Sequence, residues 1–154
     1  MSAALADTPA LSQAAALLGG RRALRRELDS RLAAHDLLRD GLPGHALEHL
    51  VSHVALLAGE GLEAALGISL RTYQRRREEP ARRLSPEQSG RIWTFAELLA
   101  RATTLLGSQQ AAEAWFLTPA LALEGRRPLD LLSTPAGVEA LAEHLTRLEF
   151  GVYT

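Results

Sequence analysis

Arg71, Thr72, Arg75 and Arg76 crowd into six positions directly behind a glycine and a serine, in the run Leu66-Gly67-Ile68-Ser69-Leu70-Arg71-Thr72-Tyr73-Gln74-Arg75-Arg76-Arg77. Guanidinium groups clustered in this way suit nucleic acid. The planar fork of an arginine can grip O6 and N7 of guanine together, and any remaining guanidinium neutralises phosphate. Gly67 suits the left-handed conformation that ends one helix, and the Ser69 hydroxyl suits the cap of the next. Two helices joined by such a turn form a helix-turn-helix, whose second helix enters the major groove of DNA. At about 100° per residue over residues 70–79, Leu70 and Tyr73 fall on one side, and Arg71, Thr72, Arg75 and Arg76 on the opposite arc. Ser69, Arg71, Thr72, Gln74, Arg75 and Arg76 are therefore the candidate DNA contacts. The alternative at this level is a solvated charged face, balanced by the neighbouring Glu78 and Glu79.

A second constellation is His45, His49 and His53, spaced four apart, which suits pairwise chelation of a transition metal. These histidines fall opposite Leu47, Leu50 and Val54, toward water. A drift of about 40° per step and a rise of roughly 12 Å prevent one ion from meeting all three. The favoured reading is a solvated histidine face able to add charge near DNA below about pH 6.5, and no metal or cofactor is assigned. No nucleophile elbow, phosphate loop, dinucleotide fingerprint or metalloprotease motif is present. With no cysteine either, no catalytic residue is assigned and an enzyme is not expected.

The 154 residues, 47% of them hydrophobic, suffice for one compact domain or two small ones. Absence of cysteine fits a reducing cytoplasm, and neither a signal pattern nor a membrane-length apolar run is seen, so a soluble cytoplasmic protein is expected. Net charge is only −1, but unevenly distributed. Residues 71–91 carry seven arginines against three glutamates, a local +4, whereas residues 92–154 carry four arginines against seven acids, a local −3. A basic centre followed by an acidic end suits two surfaces for two partners.

Periodicity is helical throughout, with no alternating run long enough for a sheet, so the fold class is all-α. Residues 1 to about 10 are expected to be loose, within a loosely ordered N-terminus placed at 1–20, while 11–39 read as one or two helices broken near Gly19-Gly20. A helix is expected over 45–58, with Leu47, Leu50, Val51, Val54 and Leu57 on one face, then a short helix over 61–66 and the arginine helix, stopped by Pro80. Ser85-Pro86-Glu87-Gln88 is a start signal with a cap, a proline in the first turn and a capping box. The helix it opens runs to Leu106, and its apolar residues, from Ile92 and Trp93 to Leu105 and Leu106, cover about two-thirds of its circumference. Such a helix is either central to the fold or part of an oligomer interface. A helix over 108–117, one or two turns at 128–132 and a last helix from Thr134-Pro135 to near Phe150-Gly151 complete the chain.

The order of these signals resembles the Xre/MbcA/ParS antitoxins, whose partners are RES-domain toxins in type II toxin-antitoxin modules. The resemblance starts at Gly41-Leu42-Pro43 and runs through Leu66-Gly67-Ile68-Ser69, Leu84-Ser85-Pro86-Glu87-Gln88-Ser89 and Ala114-Trp115-Phe116-Leu117-Thr118-Pro119. It continues in Gly125-Arg126-Arg127-Pro128-Leu129-Asp130-Leu131-Leu132, Thr134-Pro135-Ala136-Gly137 and Leu148-Glu149-Phe150-Gly151-Val152-Tyr153. It implies an Xre-like helix-turn-helix bundle, placed at 21–84, that binds operator DNA and represses its own operon. A small helical toxin-binding domain follows, placed at 85–154, which blocks the active site of an NAD-consuming toxin. A homodimer reading paired half-sites and a higher hetero-oligomer with toxin are also expected. Residues 120–124 lack the asparagine that members often carry beside the proline, and Thr154 stands where alanine is usual.

Arg126, Arg127, Glu149, Phe150, Gly151, Val152, Tyr153 and Thr154 are the candidate toxin contacts under this resemblance. The arginines suit carboxylate pairing, and the aromatic end suits insertion as an interface anchor. On the residues alone, the arginines equally suit capping of nearby carbonyls, and the apolar tail suits folding back on its own core. A helical adaptor whose arginine helix meets an acidic protein, or a transcriptional regulator without a toxin partner, is the competing reading.

Overall fold

The computed structural model describes residues 2–151, with side chains from residue 10 onward. No strand occurs among the described residues, and two isolated bridges, Pro43 with Arg83 and Ala120 with Arg126, are the β-type pairings there. The fold is all-α. It divides into two compact units, residues 1–97 and 98–154.

The first unit begins with α1 (Ser2–Leu17) and α2 (Gly20–Leu24). α1 thus extends from the part read as helical back through most of the N-terminus placed at 1–20 as loosely ordered, and in the part read as helical Leu11, Ala14 and Leu18 recur at helical spacing and are buried. The break at Gly19-Gly20 is present, both glycines having positive φ. Next come α3 (Arg31–Asp40), capped by Ser30 accepting from the Ala33 N–H at 3.0 Å, and α4 (Gly44–His53). α4 ends five residues earlier than its periodicity suggests. Val54 turns extended, at φ −125° and ψ 102°, and a 3-10 turn, Ala55–Ala58, follows. Ser52 Oγ and His53 Nδ1 bond the Glu48 and His49 carbonyl oxygens, the kind of local competition that loosens a final turn. Leu47, Leu50, Val54 and Leu57 still reach the core.

α5 (Gly61–Leu66) and α6 (Leu70–Glu78) follow, and the chain then returns along the segment between α3 and α4. Leu84 N–H donates to Leu42 O at 2.8 Å, Gly44 N–H to Arg82 O at 3.0 Å and His45 N–H to Pro80 O at 2.9 Å. This pairing explains Gly41-Leu42-Pro43-Gly44. Gly41 has φ +93°, and a Cβ there would stand 2.1 Å from Leu84 O, so the close approach requires glycine. Ser89, fully buried, accepts the Leu42 N–H at 2.8 Å and closes the junction.

The capping box forms as read, Gln88 N–H donating to Ser85 Oγ at 3.1 Å and Ser85 N–H to Gln88 Oε1 at 3.3 Å. It opens α7 (Pro86–Leu106), whose Ile92, Trp93, Phe95, Ala96, Leu98, Leu99, Ala100 and Ala102 are all buried within the single chain. Leu106, at the end of the same apolar set, is 38% exposed. The units divide at Glu97 and Leu98, inside α7, rather than at 84/85. The serine-proline signal marks a helix start, which is not the same thing as a domain boundary.

The second unit holds the remainder of α7, α8 (Gln109–Phe116), the 3-10 turns Leu121–Leu123 and Pro128–Ser133, and α9 (Pro135–Glu149). Ser108 and Thr134 cap α8 and α9 through the Ala111 and Gly137 N–H groups. α9 packs on both 3-10 turns and α8 on the second, around Ala112, Phe116, Leu129, Leu132, Leu141 and Leu145.

Candidate functional site

The basic run lies on α6, and the turn before it is built as its residues require. Gly67 adopts φ 67° and ψ 21°, its N–H donating to Glu63 O at 2.8 Å. Ile68 is buried and anchors the turn. Ser69 Oγ accepts the Thr72 N–H at 3.1 Å and donates to Thr72 Oγ1 at 3.0 Å. Ser69 and Thr72, both predicted DNA contacts, are thus half-buried and bonded to each other as the cap of α6.

Tyr73 is the buried anchor of α6, which packs on α4. Burial raises its hydroxyl pKa, partly offset by Arg77, whose guanidinium lies over the ring at 5.9 Å. Arg71, Gln74 and Arg75 are exposed and form one outward arc. Arg76 does not join them. It is half-buried, with Nη1 enclosed and without a hydrogen-bond partner. Leu70 differs in the opposite sense, being 61% exposed instead of inward beside Tyr73. At about 100° per residue, Ser69 and Arg76 lie within about 60° of Tyr73 on one flank and Leu70 about 60° away on the other. The interior lies on the Ser69 and Arg76 flank, which a wheel drawn on hydrophobicity alone does not reveal.

Arg91 went unnoticed in the sequence. Its Nε donates to Ala65 O at 3.1 Å and its Nη2 to Ala64 O at 3.0 Å, closing the carbonyl end of α5. A Cβ on Gly67 would stand 2.6 Å from Arg91 Nη1, so turn and cap are fitted to one another. No local spacing links residue 91 to residue 65. The only signal was a lone arginine near the start of an apolar helix.

The other candidates lie in the second unit. Arg127 forms a two-pronged pair with Asp130, Nε and Nη2 each 2.9 Å from a carboxylate oxygen, and this arginine holds the aspartate below its ordinary pKa. The carboxylate pairing expected of Arg127 with a partner is therefore met inside the chain. Arg126 Nη1 lies 3.2 Å from Glu124 Oε1 at an exposed pair, and Glu149 Oε1 lies 3.4 Å from Arg101 Nη2. Phe150 is 78% exposed and Gly151 has φ +71°, so the phenyl ring does not fold back on the core. Val152, Tyr153 and Thr154 lie outside the described residues. Leu121, which opens the 3-10 turn Leu121–Leu123, is 97% exposed.

His144 in α9 was not singled out by sequence. It is buried and stacked on Trp115, centroids 6.2 Å apart and planes 10° from parallel, with Nδ1 enclosed and without a hydrogen-bond partner. Burial, aided by Arg147, holds its pKa below the ordinary imidazole value. On α4, His49 and His53 stack at 4.0 Å, and their Nδ1 atoms bond the Leu17 and His49 carbonyl oxygens. Among the described residues no group of three or more histidine, cysteine or acidic side chains is arranged to hold a metal ion. No helix there is long and apolar enough to cross a membrane.

Residues 33–97 match the sequence model of the antitoxin Xre-like helix-turn-helix domain. Residues 101–151 match that of the antitoxin Xre/MbcA/ParS C-terminal toxin-binding domain. A curated relative named antitoxin Xre, from Yersinia enterocolitica, is 36% identical over 91 residues, which is 58% of this chain and 61% of the relative's length.

Proposed function

Because the chain belongs to the Xre/MbcA/ParS antitoxins, a regulatory and non-enzymatic family, we propose that it is the antitoxin and autorepressor of a toxin-antitoxin operon. Its helix-turn-helix binds the operator, with Arg71, Gln74 and Arg75 facing DNA. Residues 101–151 and the aromatic end bind a cognate RES-domain toxin in the cytoplasm, cover its active site and stop its consumption of NAD. The operator is read by a homodimer, which joins the toxin in a higher hetero-oligomer.

One observation carries the DNA half of this reading. Arg71, Gln74 and Arg75 share an outward arc on a helix whose entry turn is held by Gly67, Ser69 and Arg91. Exposed arginines on a fixed helix lose less entropy on binding than arginines on a loop. The toxin half rests on the match over 101–151 and on the exposed Phe150.

The test uses the purified chain and the RES-domain protein encoded beside it. An equimolar amount of the chain is expected to stop NAD loss, and the chain is expected to shift its own promoter fragment in a salt-dependent manner. Unchanged NAD consumption would overturn the toxin assignment. Absence of a shift would overturn the repressor assignment.

A further inference from the structure

Leu70 is the one apolar side chain on the outward surface of α6, and the operator reading leaves its chemistry unused. It occupies the first position of the helix and is 61% exposed, while Tyr73, three residues on, provides the buried anchor. A lone exposed leucine is ordinary on a protein surface and needs no explanation by itself. The surroundings of this one are unusual. Gln74 and Arg77, four and seven residues on, are its exposed neighbours along the helix, and Arg71 and Arg75 lie beyond Gln74, so an apolar branch stands at the edge of a basic face.

Its backbone is also fixed. Ser69 Oγ accepts the Thr72 N–H, Tyr73 N–H donates to Ser69 O at 2.9 Å, and Gly67 with Arg91 sets the entry angle. In helix-turn-helix docking, the N-terminal residues of the second helix reach the base edges. Leucine offers no hydrogen bond, so the group it can read in the major groove is the apolar one, the C5-methyl of thymine.

The geometry points to Leu70 as a specificity residue that packs on a thymine methyl group in the operator, beside the polar contacts of Arg71 and Gln74. This inference rests on the operator-binding reading given above. Removing one methyl from such a contact lowers affinity about fourfold, the equivalent of ~0.8 kcal/mol.

The experiment uses the full chain and its promoter fragment. Footprinting locates the bound segment, and each thymine in it is then replaced singly by deoxyuridine, which deletes the methyl and keeps every hydrogen-bonding group. The wild-type chain is expected to lose about fourfold in affinity at one thymine of each half-site. Leu70→Ala is expected to bind thymine and uracil versions of that site equally, and Leu70→Met to retain the preference. As Leu70 is exposed, truncation spares the core, and circular dichroism verifies the fold. A footprint with no deoxyuridine-sensitive position, or a Leu70→Ala variant as sensitive as the wild type, overturns this inference and leaves operator binding standing. A chain that gives no footprint overturns both.

Discussion

The fit between Gly67 and Arg91 gives a prediction whose size follows from the structure. A methyl at residue 67 meets two obstacles: a left-handed backbone that disfavours any side chain, costing about 1 kcal/mol, and Arg91 Nη1 at 2.6 Å. Displacing that guanidinium also breaks its bonds to Ala64 O and Ala65 O, together worth about 1.5 kcal/mol at a half-buried site. Gly67→Ala therefore lowers stability by about 2.5 kcal/mol and Arg91→Ala by about 1.5 kcal/mol. The double variant no longer carries the guanidinium that the methyl would strike, so it falls by about 2.5 kcal/mol rather than the additive ~4. Urea denaturation of the four proteins, followed by circular dichroism, measures this coupling. An additive double variant would refute the claim that the arginine cap and the glycine turn form one device.

Three further outcomes are expected. Replacing Arg71 and Arg75 by alanine flattens the salt dependence of operator binding by about 0.9 in slope for each phosphate that is no longer neutralised, read by gel shift over a salt series. Phe150→Asp weakens capture of the toxin at least about tenfold in calorimetry and leaves operator affinity unchanged, since the ring is exposed in the free chain. His144, its pKa lowered by burial, takes a proton in the unfolded chain at about pH 6.5 but resists it when folded, so stability present above that pH is lost as pH falls below it. Thermal melts from pH 7.5 to 5.5 should show that loss, and His144→Gln should flatten it.

Features set by neighbours in sequence were legible. The Ser69 cap, the Ser85 and Gln88 box, the Thr134 and Pro135 start and the left-handed Gly67 all form as read, because each depends on residues within four positions. Features set by residues distant in the chain were not. Arg91 reaches back 26 residues to Ala65, and the junction at Leu42 depends on Ser89, 47 residues on. The outward turn of Leu70 and the inward turn of Arg76 follow from which flank of Tyr73 meets the core, a tertiary fact that amphipathic patterning leaves open. The pair of Arg127 with Asp130, three residues on, was not singled out from the sequence although it is local. At the N-terminus, the helix read from about residue 11, where Leu11, Ala14 and Leu18 are buried, starts earlier, at Ser2, in small residues that carry no periodic apolar pattern.

The account stands on one chain carrying separable surfaces for operator and toxin. Growth of cells that express the toxin together with the Arg71→Ala, Arg75→Ala double variant tests this most directly. Rescue equal to that by the wild-type chain, from a protein that no longer shifts the promoter, is the result expected. Loss of rescue by this variant, still folded, would contradict it.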